Sequence, residues 1–105
     1  MLRANLTTDG GVPIGYIKSE FYTLTSTGVT DFQPLDLSGS REVMVIMQAG
    51  STLNGKITNE PFAGSDGMTI LSTMTQPLVF HSTDDRLYWV SADAADAVLL
   101  VWVIR

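Results

Sequence analysis

Cysteine is absent from this chain of 105 residues. A disulfide framework and a thiolate zinc centre are therefore both excluded. The length suits one domain, which buries roughly 60–70% of the surface that its unfolded chain exposes. We therefore expect a single domain that is held together by its apolar core, and a reducing compartment would suit it.

Charge is scarce and mostly of one sign. Charged residues make up 16% of the chain, and six basic residues against eleven acidic ones give a net charge of −5. Nucleic acids and anionic membranes bind proteins whose lysine and arginine residues cluster on one face. The composition therefore disfavours both as partners.

Long hydrophobic runs are also missing. The apolar run AVLLVWVI at 97–104 is far shorter than the roughly 20 residues that a membrane-spanning helix needs. The opening residues MLRANLTTDGG have no apolar stretch after Arg3, so they do not match a secretory signal peptide. We expect a protein that neither spans a membrane nor carries such a signal.

Short apolar segments separated by turn-forming residues occupy most of the sequence. Turn signals recur about every 8 to 12 residues, which is typical of an all-β sandwich or barrel. We predict an all-β fold, a two-sheet antiparallel sandwich of jelly-roll type with about eight strands. The main predicted strands are IGYIK (14–18), EFYTLT (20–25), DFQPLDL (31–37), REVMVIMQ (41–48), MTILST (68–73), PLVFHS (77–82), RLYWVS (86–91) and AVLLVWVI (97–104).

Several local signals refine this prediction. Pro34 cannot donate a backbone hydrogen bond, so its strand belongs at a sheet edge or a bulge. Asn54-Gly55 favours a two-residue hairpin between STL and KIT. The best helix candidate, 91–97, is too short to stand alone. We divide the chain into an irregular N-terminal arm at 1–13 and one β-sandwich domain at 14–105.

The terminal strand is apolar on both of its faces, and REVMVIMQ and, more weakly, RLYWV repeat this pattern. A strand in a two-sheet sandwich normally buries one face and shows the other to water. Something must therefore cover the second face: the arm at 1–13, a second chain, or the chain's own loops or barrel wall. If a partner covers it, the strand is an assembly element. Its candidate residues are Leu99, Leu100, Val101, Trp102, Val103 and Ile104.

Catalytic and metal-binding patterns are weak. His81 is the only histidine, it ends an apolar strand, and no Gly-x-Ser-x-Gly motif occurs. A calcium site could in principle draw on Asp84, Asp85, Asp93 and Asp96, although solvated turns explain these residues better. We predict no catalytic, cofactor-binding or metal-binding residues, and no cofactor.

The aromatic residues allow two interpretations. Tyr16, Tyr22, Tyr88, Trp89 and Trp102 could stack on sugars, but aromatics on strands are more often core residues. Trp89 and Trp102 lie on the last two predicted strands, which a short connection joins. We expect those strands to be adjacent and the two tryptophans to form a packed pair.

The C-terminal part of the chain has a pattern seen in one class of viral proteins. The segments DGMTILSTMTQPLVF and DRLYWVSADAADAVLLVWVIR, within 66–105, resemble small all-β virion proteins of tailed bacteriophages. This resemblance implies a non-enzymatic structural role as a head decoration (cement) protein or a neck or tail accessory protein. It implies a homo-oligomer, a trimer or dimer, in contact with the major capsid protein or other virion proteins. It also implies synthesis in the cytoplasm of a bacterial host and a place in the virion.

Two alternatives remain open at this point. A binding module for carbohydrate or a cell surface, on a phage tail or neck, would expose an aromatic or acidic site at the loop tips near 60–67 or 82–86. A small barrel enzyme or cupin-like protein would need several metal-binding histidines, and one histidine argues against it.

Overall fold

The computed structural model describes residues 19–105, which form eight strands and contain no helix. One antiparallel sheet has the strand order β1-β8-β3-β6, and the other has the order β2-β7-β4-β5. The strands are β1 (Ser19–Ser26), β2 (Gln33–Asp36), β3 (Glu42–Met47), β4 (Gly55–Thr58), β5 (Gly67–Ile70), β6 (Leu78–Phe80), β7 (Arg86–Ser91) and β8 (Ala97–Ile104).

The pairing pattern is that of a jelly roll. Strand β1 pairs with β8, β2 with β7, β3 with β6 and β4 with β5, so the chain folds back on itself as one ribbon. Two further pairings, β3 with β8 and β4 with β7, complete the two sheets. The predicted all-β sandwich of jelly-roll type is confirmed.

The core lies between the sheets and follows the alternation of the strands. In β8 every second residue is buried and the residues between are half-buried, because successive side chains point to opposite faces. Strand β3 shows the same alternation. The buried core is Leu35, Leu37, Val43, Val45, Met47, Ile57, Ile70, Leu87, Trp89, Ala97, Leu99, Val101 and Val103.

Most of the predicted strands are present with bounds shifted by a few residues. Strand β2 contains Pro34 and lies at the edge of its sheet, as predicted. The connection at 92–96 is a turn, so the helix candidate does not form. The predicted strand at 14–18, the arm at 1–13 and Tyr16 lie outside the described residues.

The predicted hairpin at Asn54-Gly55 is wrong. The residues 51–54 are not a strand, and Gly55 begins β4, which pairs with β5 and β7. The Asn54 side-chain carbonyl instead accepts a hydrogen bond from the backbone of Ser72 at 2.8 Å. Gly55 is required by packing, because a Cβ placed there would lie 2.1 Å from the ring of Trp89.

The predicted tryptophan pair is also wrong. Strands β7 and β8 follow each other in the chain but belong to opposite sheets, so Trp89 and Trp102 are not neighbours on one sheet. Trp89 is buried in the core, and its Nε1 donates to the carbonyl of Ala97 at 2.9 Å. Trp102 lies on the outer side of β8, where it is half-buried. A short connection therefore crosses between sheets here and does not form a hairpin.

Within 19–105 there is no helix that could cross a membrane.

Candidate functional site

A row of four large apolar residues crosses the outer side of the β1-β8-β3-β6 sheet. The strand register places Phe21 opposite Trp102, Trp102 opposite Met44, and Met44 opposite Val79. Each residue comes from a different strand, and the row spans the full width of the sheet. Phe21 is 75% exposed and Val79 is 47% exposed, so both ends of the row reach the surface.

A second row extends this surface along the strands. Leu100 pairs with Ile46 on one side and with Thr23 on the other. Leu100 and Ile46 are half-buried. We define the apolar face as Phe21, Met44, Ile46, Val79, Leu100 and Trp102.

The two aromatic residues of the apolar face are stacked. The rings of Phe21 and Trp102 have centroids 5.4 Å apart and an interplanar angle of 12°. Beside them lies a shallow depression of about 310 Å³, whose lining also includes Thr23, Met44 and Leu100. The surface is therefore contoured and apolar, with large rings on the β1 side.

The indole nitrogen of Trp102 is buried and has no hydrogen-bond partner among residues 19–105. Trp102 therefore contributes apolar contact area to the face. Trp89, by contrast, satisfies its donor inside the core.

A cluster with an ion pair lies on the inner side of β1 and β8, at the end of the core, where Glu20 and Tyr22 pair with Val103 and Val101. Arg105 Nε binds Glu20 Oε1 at 2.7 Å, and the Tyr22 hydroxyl donates to the same carboxylate. The Arg105 guanidinium also donates to the carbonyl of Asp36 at 2.7 Å. Its hydrogen bond with Tyr22 raises the pKa of Arg105, so this side chain is charged at every relevant pH. Glu42, at the start of β3, lies on the outer side of the sheet with Met44 and Ile46, and it pairs with Ile104.

The outer side of the opposite sheet has a different character. Asp36, Lys56 and Arg86 alternate there with residues that point into the core. Val90 of β7 also lies on that side, but it is 5% exposed and borders a groove formed with Phe32 and Phe62. The chain therefore covers Val90 by itself, while Tyr88 stays half-buried and Arg86 exposed on that side. The outer side of this sheet therefore carries Asp36, Lys56 and Arg86, whereas the outer side of the β1-β8-β3-β6 sheet is mostly apolar, with Glu42 at its end.

The predicted assembly strand is split between the two faces of β8. Leu99, Val101 and Val103 point into the core, while Leu100, Trp102 and Ile104 lie on the outer side and are half-buried. The inner set belongs to the sandwich core. Only the outer set can contact another molecule.

The acidic residues considered for calcium do not come together. Asp84 and Asp85 precede β7, whereas Asp93 and Asp96 follow it, so the two pairs lie at opposite ends of that strand. Among residues 19–105 no group of three or more His, Cys, Asp or Glu side chains could hold a metal ion. His81 is exposed in a cleft of about 340 Å³ that also includes Asp66 and Asp84.

The loop at 60–67 exposes one aromatic residue. Phe62 is 56% exposed and lines a groove of about 230 Å³ together with Val29 and Phe32. The groove floor includes Val90, and Lys56 spans its side to donate to the carbonyl of Ser65 at 3.0 Å. This is the loop-tip aromatic that a binding module would need.

Sequence reasoning missed two members of the apolar face, Phe21 and Val79. They come from β1 and β6, and only the register places them in one row with Trp102 and Met44. The sequence did show that the outward-facing residues of β3 and β8 are apolar. No sequence pattern gave the order of the strands.

Comparison of the chain with protein-family models, curated proteins and solved structures found no significant match.

Proposed function

We propose that this chain is a non-enzymatic structural protein of a phage virion, most simply a capsid decoration (cement) protein that stabilises the shell through subunit contacts. The observation that carries the proposal is the apolar face. A surface that crosses a whole sheet without a charged residue at its centre is the kind of surface that protein contacts cover.

The fold is compatible with this role. Jelly rolls are common in viral capsid proteins and also occur in lectins and cupins, so the fold by itself does not select one function. A cupin-like enzyme needs several metal ligands, and residues 19–105 form no such group. The resemblance of 66–105 to tailed-phage virion proteins favours the capsid among these classes.

The mechanism is mechanical. Apolar area buried at contacts between subunits contributes roughly 25 cal/mol per Å² before the cost of ordering is subtracted. A decoration protein that makes several such contacts on a shell lattice raises the force or temperature at which the shell opens.

Particle binding tests the proposal directly. Purified phage heads that lack this chain are incubated with the wild type, with Met44→Lys and with Thr69→Lys, which adds the same charge on the outer side of the opposite sheet. We expect wild type and Thr69→Lys to co-sediment with the heads and to raise their melting temperature, and Met44→Lys to do neither. Heads that bind none of the three folded proteins would contradict the proposal.

A carbohydrate-binding or cell-surface module on a phage tail or neck is the second candidate. The exposed Phe62 beside its groove favours it, because aromatic side chains at loop tips are common sugar-stacking positions. Glycan-array binding that Phe62→Ala removes and His81→Ala leaves intact would support this candidate over the first.

A further inference from the structure

We propose that the groove between the loops at 27–32 and 59–66 binds one acidic sugar unit, with the sugar ring on Phe62 and its carboxylate on Lys56. The groove lies on the outer side of the β2-β7-β4-β5 sheet, whereas the apolar face belongs to the other sheet. This inference rests on the second candidate function, to which it gives a ligand class. It does not depend on the capsid role.

The loop at 59–66 fixes the backbone that carries Phe62, whose side chain is 56% exposed. The Ser65 side chain is buried, and its hydroxyl lies 2.9 Å from the carbonyl oxygen of Glu60 and 2.8 Å from that of Phe62. Thr58 Oγ1 donates to the same Glu60 carbonyl at 2.9 Å. A side chain on a backbone that is ordered before binding loses little freedom when a ligand arrives. The loop therefore presents Phe62 as a preformed stacking surface.

The loop at 27–32 forms the other wall and is also fixed by hydrogen bonds. Asp31 Oδ2 accepts from the backbone N–H of Thr27 at 2.8 Å and from its hydroxyl at 2.9 Å. Val29 is 50% exposed and lines the groove together with the half-buried Phe32. Each loop therefore contributes one exposed apolar side chain to the same opening, as in a preformed ligand site.

The strand register places a cation beside the groove floor. Lys56 of β4 pairs with Val90 of β7 on one side and with Thr69 of β5 on the other, so the three side chains share one side of the sheet. Lys56 Nζ donates to the carbonyl of Ser65 at 3.0 Å, which uses one of its three N–H donors. The exposed Thr69 adds a hydroxyl beside the ammonium. A ligand there meets an apolar, a cationic and a hydroxyl group in one row.

Charge complementarity indicates that the polar group of the ligand is an anion. The chain has a net charge of −5, so most of its surface repels anions. Of residues 19–105, Lys56 is the only charged one that lines the groove, whereas Glu60 and Asp66 of the adjoining loop do not line it. Lys56 also forms no ion pair with the described part of the chain. A carboxylate placed there gains a charge-assisted hydrogen bond.

The size of the groove selects a ligand with one ring. Its volume of about 230 Å³ is below the roughly 300–1,000 Å³ of pockets for drug-sized ligands. A sugar ring has an apolar face for Phe62 and hydroxyls for Thr69, and a uronic acid adds a carboxylate for Lys56. We expect millimolar affinity for a single unit, because so small a ligand makes few contacts.

A titration followed by NMR of ¹⁵N-labelled protein compares methyl glucuronide with methyl glucoside, which differ only in the carboxylate. We expect both sugars to shift amide signals of 27–32 and 59–66. The glucuronide should bind about fivefold more tightly, which is the upper end for an exposed ion pair. No shift with either sugar overturns the inference, and so does equal affinity for the two. Benzoate has a ring and a carboxylate but no hydroxyl, and benzoate binding as tight as that of the glucuronide overturns the assignment to a sugar.

The charge contact is tested by Lys56→Gln, which should remove the preference for the glucuronide. Arg86→Gln is the matched control, because it removes the same charge from the same outer side but outside the groove, and it should keep the preference. A dispersed NMR spectrum shows that each variant is folded. A folded Lys56→Gln protein that still prefers the glucuronide overturns the inference.

The stacking contact is tested by Phe62→Ala, which should weaken the binding of both sugars by about fivefold. Leu71→Ala is its control, because Leu71 is 53% exposed and does not line the groove, and it should leave both affinities unchanged. Unchanged affinity in a folded Phe62→Ala protein overturns the inference.

The possible failures are distinguishable. A chain that binds the glucuronide but no phage head keeps this inference and loses the capsid role. A chain that binds heads in a manner that Met44→Lys abolishes, yet binds neither sugar, keeps the capsid role and loses this inference. Glycan-array binding that is confined to neutral sugars and lost in Phe62→Ala keeps the second candidate function and loses the acidic ligand.

Discussion

The Ser26 hydroxyl oxygen accepts a hydrogen bond from the backbone N–H of Ser91 at 2.8 Å and so joins the two sheets of the sandwich. Both residues are buried. The same hydroxyl donates to the backbone carbonyl of Asp31 at 2.6 Å, which fixes the turn between β1 and β2. One short side chain thus connects β1, β7 and that turn at the end of the core.

Ser26→Ala should destabilise the fold by about 1–3 kcal/mol, because it leaves the buried N–H of Ser91 without an acceptor. Urea unfolding followed by tryptophan fluorescence measures the change. Thr73→Ala, at an exposed position, should stay within about 0.5 kcal/mol of the wild type. Equal stability of Ser26→Ala and Thr73→Ala would show that the bond between the sheets contributes nothing.

Gly55→Ala should cost about 1–3 kcal/mol or more, since its Cβ would lie 2.1 Å from the Trp89 ring and the packed ring would have to move. Gly28→Ala is the matched control, because nothing lies within 4 Å of a Cβ at that position. Thermal unfolding of the two variants should separate them clearly. A Gly55→Ala protein as stable as Gly28→Ala would mean that the Trp89 ring moves without cost.

Substitutions on the two faces of β8 should have unequal effects. Val101 is 2% exposed, so Val101→Thr places a hydroxyl in the core and should cost about 1–3 kcal/mol. Val98 is half-buried on the outer side, and Val98→Thr should cost much less. Val101→Asp should abolish soluble folding, which a solubility assay on expressed protein checks. A soluble, folded Val101→Asp protein would contradict the assignment of Val101 to the core.

Stability should fall in acid partly through Asp31. Hydrogen bonds from the backbone and side chain of Thr27, and from Gln33, lower the pKa of Asp31 below its usual value of 3.8. Since the folded pKa is the lower one, this stabilisation is complete above the unfolded pKa and is lost as the pH falls through the folded pKa. Asp31→Asn keeps an acceptor oxygen but no longer titrates. The urea midpoint of Asp31→Asn should therefore fall less between pH 5 and pH 2.5 than the wild-type midpoint does. Each midpoint is compared with the value for the same protein at pH 7.

His81→Ala should leave stability, self-association and particle binding unchanged, because the side chain is exposed and no metal-ligating group of three surrounds it within 19–105. Differential scanning fluorimetry and sedimentation check the first two properties. Loss of particle binding with the fold retained would favour a metal or catalytic site at His81.

The strand positions were largely predictable because they depend on local patterns. Alternation in REVMVIMQ and the continuous apolar run of the last strand gave β3 and β8 close to their bounds. Pro34 predicted the edge position of β2, because proline has no backbone N–H to donate to a neighbouring strand. The Asn54-Gly55 prediction failed because packing against Trp89 explains this glycine better than a turn does.

The candidate site could be predicted only in part. The sequence indicated that β8 has a second apolar side and therefore singled out Leu100, Trp102 and Ile104. It could not give Phe21, Met44 or Val79 as their neighbours, because register between distant strands leaves no trace in local spacing. The weaker alternative of a calcium site does not form within 19–105, because Asp84 and Asp85 lie at one end of β7 and Asp93 and Asp96 at the other.

Local sequence patterns were enough to predict an all-β protein without disulfides, with short strands and with apolar residues on both sides of β3 and β8. Alternation, β-branching and turn residues act within a few positions, so they can be read directly from the chain. The arrangement of the two sheets, which no local pattern gives, places β7 and β8 in opposite sheets, Trp89 in the core, and Trp102 against Phe21 on the outer side. Those outcomes depend on which distant strands share hydrogen bonds, and that choice is made by the packing of the whole sandwich.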